Sequence, residues 1–220
     1  MNVPPAIDFQ EQVQQNYDRI SRIYDLLSGG TEKRLIRKVV GTLDIAVPKK
    51  VIEIGCGTGN GLIALQEKYP SAVLCGIDLS FGMCLRSSHK VMHQNLSSHS
   101  LICQGDALQL PFPNKDADLV FISFTFELFP DALQSALLHE IKRILAPEGY
   151  ISVISMYKEY ESGWMSRLYA AAHARFPKVI DCQPLDGPAI FRRFGFQVFN
   201  ETNHHIWGIP VVSFMGNMQE

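Results

Sequence analysis

The chain has 220 residues and a mass of 24.7 kDa, enough for one domain built on a sheet of about six or seven strands. Its hydrophobic fraction of 46% and charged fraction of 19% exclude a disordered protein and favour a soluble, globular one. The net charge of −2 gives no electrostatic footprint for nucleic acid, and no apolar run reaches the length of a membrane span.

The N-terminal region is predicted to form two helices. Apolar residues recur every three or four positions over 8–27, Ser28–Gly30 interrupts the pattern, and Thr31 is expected to cap a second helix that ends near Leu43. A cluster of basic residues follows within this region. A solvated helix face explains it better than contact with an acidic partner or a membrane surface. Its members are Lys33, Arg34, Arg37, Lys38, Lys49 and Lys50.

The middle of the chain alternates short apolar strands with helices. Such alternation predicts a parallel sheet buried on both faces. Strands are predicted at 50–54, 73–77, 101–104, 119–123 and 150–155, and helices at 60–68, 80–94 and 130–145. The remaining residues predict helices at 163–176 and 186–194 and two strands at 196–206 and 210–215.

The cysteines and the N-terminus bear on the compartment. The five cysteines form no Cys-x-x-Cys pair and are expected to be reduced, and residues 1–10 lack the layout of a secretory signal. These features predict a cytoplasmic protein. The cysteines are Cys56, Cys75, Cys84, Cys103 and Cys182.

A glycine-rich turn follows the first strand of this sheet. The run Glu53–Gly59 has glycines at alternate positions, and Asp78 ends the next strand. Glycines allow close backbone approach, and an acid at this place accepts ribose hydroxyls. The dinucleotide pattern requires a glycine at its sixth position, which is Asn60 in one register and Leu62 in the other. The turn therefore predicts an adenosine cofactor without a pyrophosphate.

Five motifs in order resemble those of class I S-adenosylmethionine (SAM) methyltransferases. They are Glu53–Gly59, Asp78, Met83, Gly105–Pro113 and Leu145–Gly149. The resemblance extends over about two thirds of the chain, and several ordered motifs are more specific than one.

This resemblance implies a fold and an organisation. The fold would be an α/β, Rossmann-like sheet of seven mostly parallel strands, with helices on both faces and an antiparallel C-terminal strand. Residues 1–220 would form a single domain. Residues 1–47 would be a helical cover, 48–155 a SAM-binding core, and 156–220 an acceptor-side lid with a terminal hairpin.

The resemblance also implies SAM as cofactor and assigns residues to it. The glycines and Thr58 would lie along the methionine and ribose, Asp78 would accept the ribose hydroxyls, and Met83 would pack on adenine. Asp78 and Asp106 could instead be helix caps or turn formers, and Met83 ordinary core. The full set is Gly55, Gly57, Thr58, Gly59, Asp78, Leu79, Met83, Asp106, Ala107, Ser123 and Tyr24.

Within the superfamily, three segments resemble the ubiquinone/menaquinone C-methyltransferase group. These are Tyr17–Leu27, Leu110–Pro113 and Ile122–Phe124. That group carries arginine and asparagine where this chain has Glu127 and Leu128. The expected acceptor is therefore a small lipophilic molecule, with a quinone, a phospholipid amine or another metabolite left open.

The catalytic candidate is Glu127, as a base or as the counter-charge to an amine. The alternative is a solvent-exposed loop carboxylate. Several large side chains could line an apolar acceptor pocket, although aromatic residues at helical spacing are usually core. They are Phe124, Phe126, Phe129, Trp164, Met165, Tyr169 and Phe191.

Two histidine pairs give weaker signals. His89 and His93 lie four residues apart on a predicted helix, but no third ligand completes a metal site by spacing, so no metal is predicted. Of His204 and His205, one could approach the acceptor, because adjacent strand residues face opposite sides.

Two rival functions remain open from the sequence. One is a SAM-binding regulatory protein without catalysis, which would carry the same cofactor motifs. The other is a nucleotide-dependent oxidoreductase, against which the dinucleotide spacing argues.

Overall fold

The computed structural model describes residues 11, 14–15, 17–18, 30–96, 99–158 and 184–218. Their core is a seven-stranded sheet. Its strands are β1 (Lys50–Ile54), β2 (Val73–Asp78), β3 (Ser100–Gln104), β4 (Ala117–Ser123), β5 (Leu145–Met156), β6 (Phe196–Ile206) and β7 (Ile209–Met218). The order across the sheet is β3-β2-β1-β4-β5-β7-β6.

Helices connect the strands and cover both faces of the sheet. They are α1 (Thr31–Gly41), α2 (Asn60–Lys68), α3 (Phe81–His93), α4 (Asp131–Ile144) and α5 (Gly187–Arg193), with a short 3₁₀ turn at Phe126–Leu128. One hydrophobic layer packs α1, α2 and α3 against the sheet. The other packs α4 and α5 against the opposite face. The predicted architecture is confirmed.

Strand pairing explains why the chain folds this way. The first five strands pair in parallel, with β1 between β2 and β4. Parallel neighbours need crossover connections, which the helices supply. β7 pairs antiparallel with both β5 and β6 through a turn at Trp207 and Gly208, so the predicted terminal hairpin joins the sheet. The carboxyl ends of the parallel strands consequently meet at one edge.

Some boundaries differ from the predictions. Thr31 does not cap α1: Gly30 is the N-cap, with φ of 72° and no side-chain hydrogen bond, and the helix ends at Gly41. β5 begins at Leu145 rather than at 150, because Leu145 pairs with Ala117 before a register shift. The helix predicted at 163–176 and most of that at 8–27 lie outside the described residues. The division into cover, core and lid stays a prediction.

The described part of the chain contains no helix that is long and apolar enough to cross a membrane. Its four cysteines, at 56, 75, 84 and 103, are free thiols, and Cys182 lies outside it.

Candidate functional site

A cavity of about 110 Å³ opens where the parallel strands end. The loops after β1, β2, β3 and β4 form its walls. Nine of the eleven residues predicted from the cofactor motifs line it: Gly55, Gly57, Thr58, Asp78, Leu79, Met83, Asp106, Ala107 and Ser123. Gly59 does not lie on the wall, and Tyr24 falls outside the described residues.

The three glycines of the first loop have different roles. All adopt left-handed conformations, with φ of 68° at Gly55, 50° at Gly57 and 83° at Gly59. A Cβ on Gly55 would come within 2.8 Å of the Thr125 Cβ, whereas one on Gly57 would meet nothing within 4 Å. Gly59 begins α2 and packs closely on Ser87 of α3. Only Gly55 and Gly57 therefore present backbone to the cavity.

Asp78 ends β2 and reaches back to the glycine loop. Its Oδ2 accepts the amide of Gly57 at 2.8 Å, and its Oδ1 accepts that of Ser80 at 2.9 Å. Burial raises the pKa of this carboxyl from 3.8 to about 6, and the two amides oppose that shift. Each carboxylate oxygen has a second lone pair, so Asp78 can still accept two hydroxyl groups.

Glu53, the first residue of the glycine motif, is a further carboxyl on the cavity wall, and the resemblance assigned no role to its side chain. It is 1% exposed, and its Oε2 has no hydrogen-bond partner among the described residues. Burial raises the pKa of Glu53 well above its usual value, and a hydrogen bond with the Leu62 backbone counteracts part of the shift. A buried carboxyl in this condition is a ready acceptor for a donor or cation in the cavity.

Helix α4 holds the loop after β3. Arg143 donates to the carbonyls of Leu110 at 2.9 Å and Phe112 at 2.7 Å, while Glu140 accepts the Leu110 amide at 2.7 Å. The same loop begins at Asp106, whose Oδ1 accepts the Leu108 amide at 2.8 Å. The turn-forming role foreseen for Asp106 is real, and it leaves Asp106 on the cavity wall.

The N-terminal segment reaches the site through two described residues. Tyr17 lines the cavity. Asp18 accepts hydrogen bonds from the Ser80 hydroxyl and, at 2.9 Å, from the Gly82 amide. A carboxylate at this place also meets the positive end of the α3 dipole. The segment is thereby joined to the helix that follows Asp78.

The remaining wall is largely apolar. It joins α1 to the end of β4, where Phe124 adopts a φ of 52°. The sequence singled out Phe124 and Phe129 as lining candidates and named Leu128 only as a departure from the quinone group. It missed Glu32, Ile36 and Thr125. The i, i+4 spacing of Glu32 and Ile36 on α1 was the available signal. This wall comprises Tyr17, Glu32, Ile36, Phe124, Thr125, Leu128 and Phe129.

Glu127, the catalytic candidate, is buried beside this wall. It is 2% exposed, and its Oε1 accepts the Met156 amide at 3.0 Å, at the end of β5. The alternative interpretation of Glu127 as a solvent-exposed loop carboxylate is therefore wrong. The side chain is not among the described lining residues of the cavity. Whether Glu127 takes part in catalysis stays a prediction.

Two of the aromatic candidates belong to the core. Phe126 and Phe191 are fully buried with ring centroids 5.0 Å apart, and Phe191 also contacts Phe196 at 5.3 Å and Phe214 at 5.1 Å. The candidates at 164, 165 and 169 lie outside the described residues.

The histidines lie away from the cavity wall. His89 and His93 are exposed, and the described chain brings no group of three or more potential metal ligands together. His204 shares a 2.8 Å hydrogen bond with Ser213, and its neighbour His205 is exposed. Burial lowers the pKa of His204, with a smaller contribution from Lys38.

Comparison with known proteins agrees with this geometry. Residues 51–149, which hold the glycine loop and the loops after β2, β3 and β4, match the model of the family described as "Methyltransferase domain". The chain carries a methyltransferase domain. The resemblance to class I SAM-dependent methyltransferases drawn from the motifs is confirmed.

Two curated relatives share this methyltransferase domain. The chain is 32% identical to the demethylmenaquinone methyltransferase of Lactobacillus johnsonii over 148 residues, which are 67% of this chain and 59% of the relative. It is 33% identical to the demethylmenaquinone methyltransferase of Thermus thermophilus over 143 residues, which are 65% of this chain and 62% of that relative. The matches thus cover less than two thirds of either relative.

A solved structure shows the same fold. A SAM-dependent methyltransferase from Thermotoga maritima superposes with a TM-score of 0.70 at 18% identity, over 93% of this chain and 99% of that one. At this identity the likeness concerns the fold of the methyltransferase domain alone.

Proposed function

We propose that this chain binds SAM in the cavity and transfers its methyl group to a small, lipophilic acceptor. The observation that carries the proposal is the convergence of Gly57 and Asp78 on one wall, joined by a 2.8 Å hydrogen bond. A backbone open to close approach beside a ribose-binding acid fits an adenosine cofactor that lacks a pyrophosphate.

The adenosine half of SAM would be held by residues after β2 and β3. Asp78 would accept the two ribose hydroxyls, because both of its oxygens keep a lone pair. Leu79 and the buried Met83 would pack on the adenine ring, and Asp106 with the Ala107 amide would bind its edge.

The methionine half would follow the glycine loop. Gly55, Gly57 and Thr58 would lie along it, and Ser123 at the end of β4 would border the transferred methyl. The orphaned oxygen of Glu53 fits a cationic ammonium or sulfonium group, which would favour ionisation of this carboxyl.

Bound SAM supplies an activated methyl group that any suitably placed nucleophile can take. The chain's own residues then have a positioning task, because well-oriented reactants save about 7–11 kcal/mol of the barrier. The apolar wall from Phe124 to Phe129 would orient the acceptor and exclude water. A base is needed only for acceptors that must lose a proton. Glu127 remains the predicted candidate, although its bond to Met156 favours a positioning role.

For the acceptor, a quinone-type ring is the first candidate and an amine the second. The two relatives are named for demethylmenaquinone, and a flat apolar ring suits the wall of Phe124, Leu128 and Phe129. A cytoplasmic location and peripheral contact with a membrane surface are part of the proposal, since a lipophilic acceptor dissolves in lipid.

The proposal is tested first by ligand-induced stabilisation. SAM should raise the midpoint of thermal unfolding of the full chain and NAD should not, because ligand binding to the native state alone stabilises it. Formation of S-adenosylhomocysteine with a demethylated menaquinol, set against an ethanolamine phospholipid, then identifies the acceptor class. Stabilisation by NAD without SAM would overturn the proposal. SAM binding without product from any acceptor would reduce it to a non-catalytic SAM-binding protein.

A further inference from the structure

Helix α3 exposes a stripe of large apolar side chains. Phe81 is 59% exposed, Leu85 47% and Met92 61%. Their spacings of four and seven residues place them on one side of the helix. The opposite side carries the buried Met83, which lines the cavity, and Val91, which packs in the hydrophobic layer against the sheet. The exposed side is therefore a second apolar face on a helix whose core-facing contacts are already made.

The same part of the chain lacks acidic residues. Between Asp78 and Asp106, residues 79–105 contain no aspartate or glutamate, although the chain has 22 in total. The exposed His89 and His93 and the partly buried Arg86 lie beside the stripe on α3. An apolar stripe flanked by basic residues is the pattern of helices that lie in a membrane interface.

Two neighbouring interactions limit the charge of this face. Lys90 is turned toward the glycine loop, where its Nζ donates to Thr58 at 2.9 Å and Asn60 at 3.0 Å. The carboxylate of Asp18 is held at the first turn of α3 by the Gly82 amide. The face itself consequently presents Arg86 and two histidines but no acid of its own helix.

We propose that this face, formed by Phe81, Leu85, Met92 and the basic side chains beside them, docks on an anionic lipid surface. A stable protein interface needs about 20–30 residues on each side, far more than three apolar side chains supply. Interfacial binding by a helix needs only modest apolar insertion reinforced by attraction to anionic lipid. This assigns a surface to the membrane contact included in the proposed function, and it does not depend on methyl transfer.

The position of the stripe connects it to the cavity. Phe81 directly follows Ser80, and both Ser80 and Met83 line the cavity. Docking through α3 would hold the mouth of the cavity close to the lipid surface, where apolar molecules partition. The basic residues of α1 form a different surface from this face. On α1, Arg37 already forms an ion pair with Glu67 at 2.8 Å.

The test is flotation of the full chain with vesicles of phosphatidylcholine alone or mixed with phosphatidylglycerol. The chain should float with the anionic vesicles, and added salt should weaken the association. Combining Phe81→Ser, Leu85→Ser and Met92→Ser should lower the bound fraction about ten-fold or more, because the inserted apolar area is removed. Arg86→Gln should reduce the salt dependence of vesicle binding and should lower the bound fraction less than the triple variant does.

Leu101→Ser is the matched control. Leu101 is 66% exposed on β3 but pairs with Cys75, which belongs to the layer on the α4 side of the sheet, opposite α3. The Leu101→Ser variant should float with anionic vesicles like the original chain. The thermal unfolding transition without ligand, measured on every variant, checks folding. Its shift on addition of SAM tests the proposed function separately.

Three outcomes would overturn the docking proposal. The original chain could fail to bind anionic vesicles, the triple variant could bind as well as the original, or Leu101→Ser could lose as much binding. A self-association in sedimentation that the triple variant abolishes, without vesicle binding, would assign the face to a second copy of the chain instead. If the triple variant shows no cooperative thermal unfolding, Leu85→Ser alone decides between these results.

Discussion

The two halves of the cavity are built differently. The half after β2 and β3 is held by hydrogen bonds from backbone amides to carboxylates: Asp78 accepts two amides, and Asp106 accepts a third. The half after β4 is an apolar wall that joins α1 to Phe124 and Phe129. The first half is arranged before any ligand arrives, whereas the second gains its shape from the packing of separate elements.

The difference suggests how one fold can keep its cofactor while its acceptor changes. Preorganised acceptors on rigid strands lower the cost of ordering a ligand. An apolar wall tolerates substitution as long as its volume is kept. Leu128 lies on the second half, and Glu127 is buried beside it. These are the two positions at which the chain departs from the quinone group that it resembles.

The largest effect is expected where the two halves meet, at Gly55. Alanine there would combine a left-handed φ of 68° with overlap on Thr125, across the boundary. The sum of the two penalties is about 2–5 kcal/mol of unfolding free energy. Denaturant unfolding of Gly55→Ala measures it.

Gly57→Ala is the matched control for that change. It has a similar backbone penalty but no overlap, so about 1–2 kcal/mol of stability should be lost. Its methyl group would point into the cavity, and SAM affinity should fall more than stability. Equal stability losses in the two variants would show that contact with Thr125 does not matter.

The next largest effect concerns the preorganised half alone. Asp78→Ala should weaken SAM binding by about 1.5–3 kcal/mol, typical for loss of a hydrogen bond to a charged group. Calorimetric titration with SAM measures the change. Leu101→Ser, far from the cavity, serves as control. Unchanged affinity would remove Asp78 from the site.

A smaller effect comes from pH. In the protein without ligand, burial raises the pKa of the Asp78 carboxyl to about 6. The ionised form of this carboxyl is the better acceptor for ribose hydroxyls. SAM affinity should therefore rise about ten-fold from pH 5 to pH 7.5. In the Asp78→Asn variant, SAM affinity measured across this pH range should show no such rise. A flat profile in the original chain would contradict the expected coupling.

Stability without ligand should change in the opposite direction. Because the folded pKa of Asp78 is raised above the ordinary value of 3.8, the folded state binds more protons between that value and about 6. The contribution of Asp78 to the stability of the folded state is therefore present at low pH, and it is lost as the pH rises from about 3.8 to about 6. The pKa of Glu53 is raised in the same direction. Comparing Asp78→Asn with the original chain at several pH values isolates the contribution of Asp78.

The smallest effect is expected at Glu127, on the acceptor half. Glutamine retains an oxygen for the Met156 amide, so folding and SAM affinity should be preserved. Turnover should fall by up to about ten-fold, less than the roughly 10²–10⁴ that loss of a general base costs. A larger loss, with a changed pH profile, would return Glu127 to the role of base. Turnover equal to that of the original chain would demote it to a purely structural residue.

Local patterns were sufficient to predict the preorganised half. The apolar run at 50–54 and the glycines after it define β1 and its loop, and Asp78 ends β2 as expected. Ser80 caps α3 through the Met83 amide, which its position before the helix indicated. Nearest-neighbour chemistry determines these features, so the sequence displays them.

The acceptor half depends on contacts that are distant in the chain. Glu32 and Thr125 lie on one cavity, yet 93 positions separate them, and periodicity does not reveal such a pairing. Glu127 seemed a loop residue, but the turn at Phe126–Leu128 directs its carboxylate inward to Met156. The cap expected at Thr31 failed because glycine in a left-handed conformation starts the helix one residue earlier.

The placement of β7 between β5 and β6 affects the order in which this protein can fold during synthesis. β7 follows the other six strands in the chain, yet it lies between β5 and β6. Val211 completes one hydrophobic layer and Phe214 the other. Until the ribosome has released this strand, β5 has an unpaired edge and both layers remain incomplete. Nascent chains halted before residue 209 should consequently depend on chaperones to avoid aggregation.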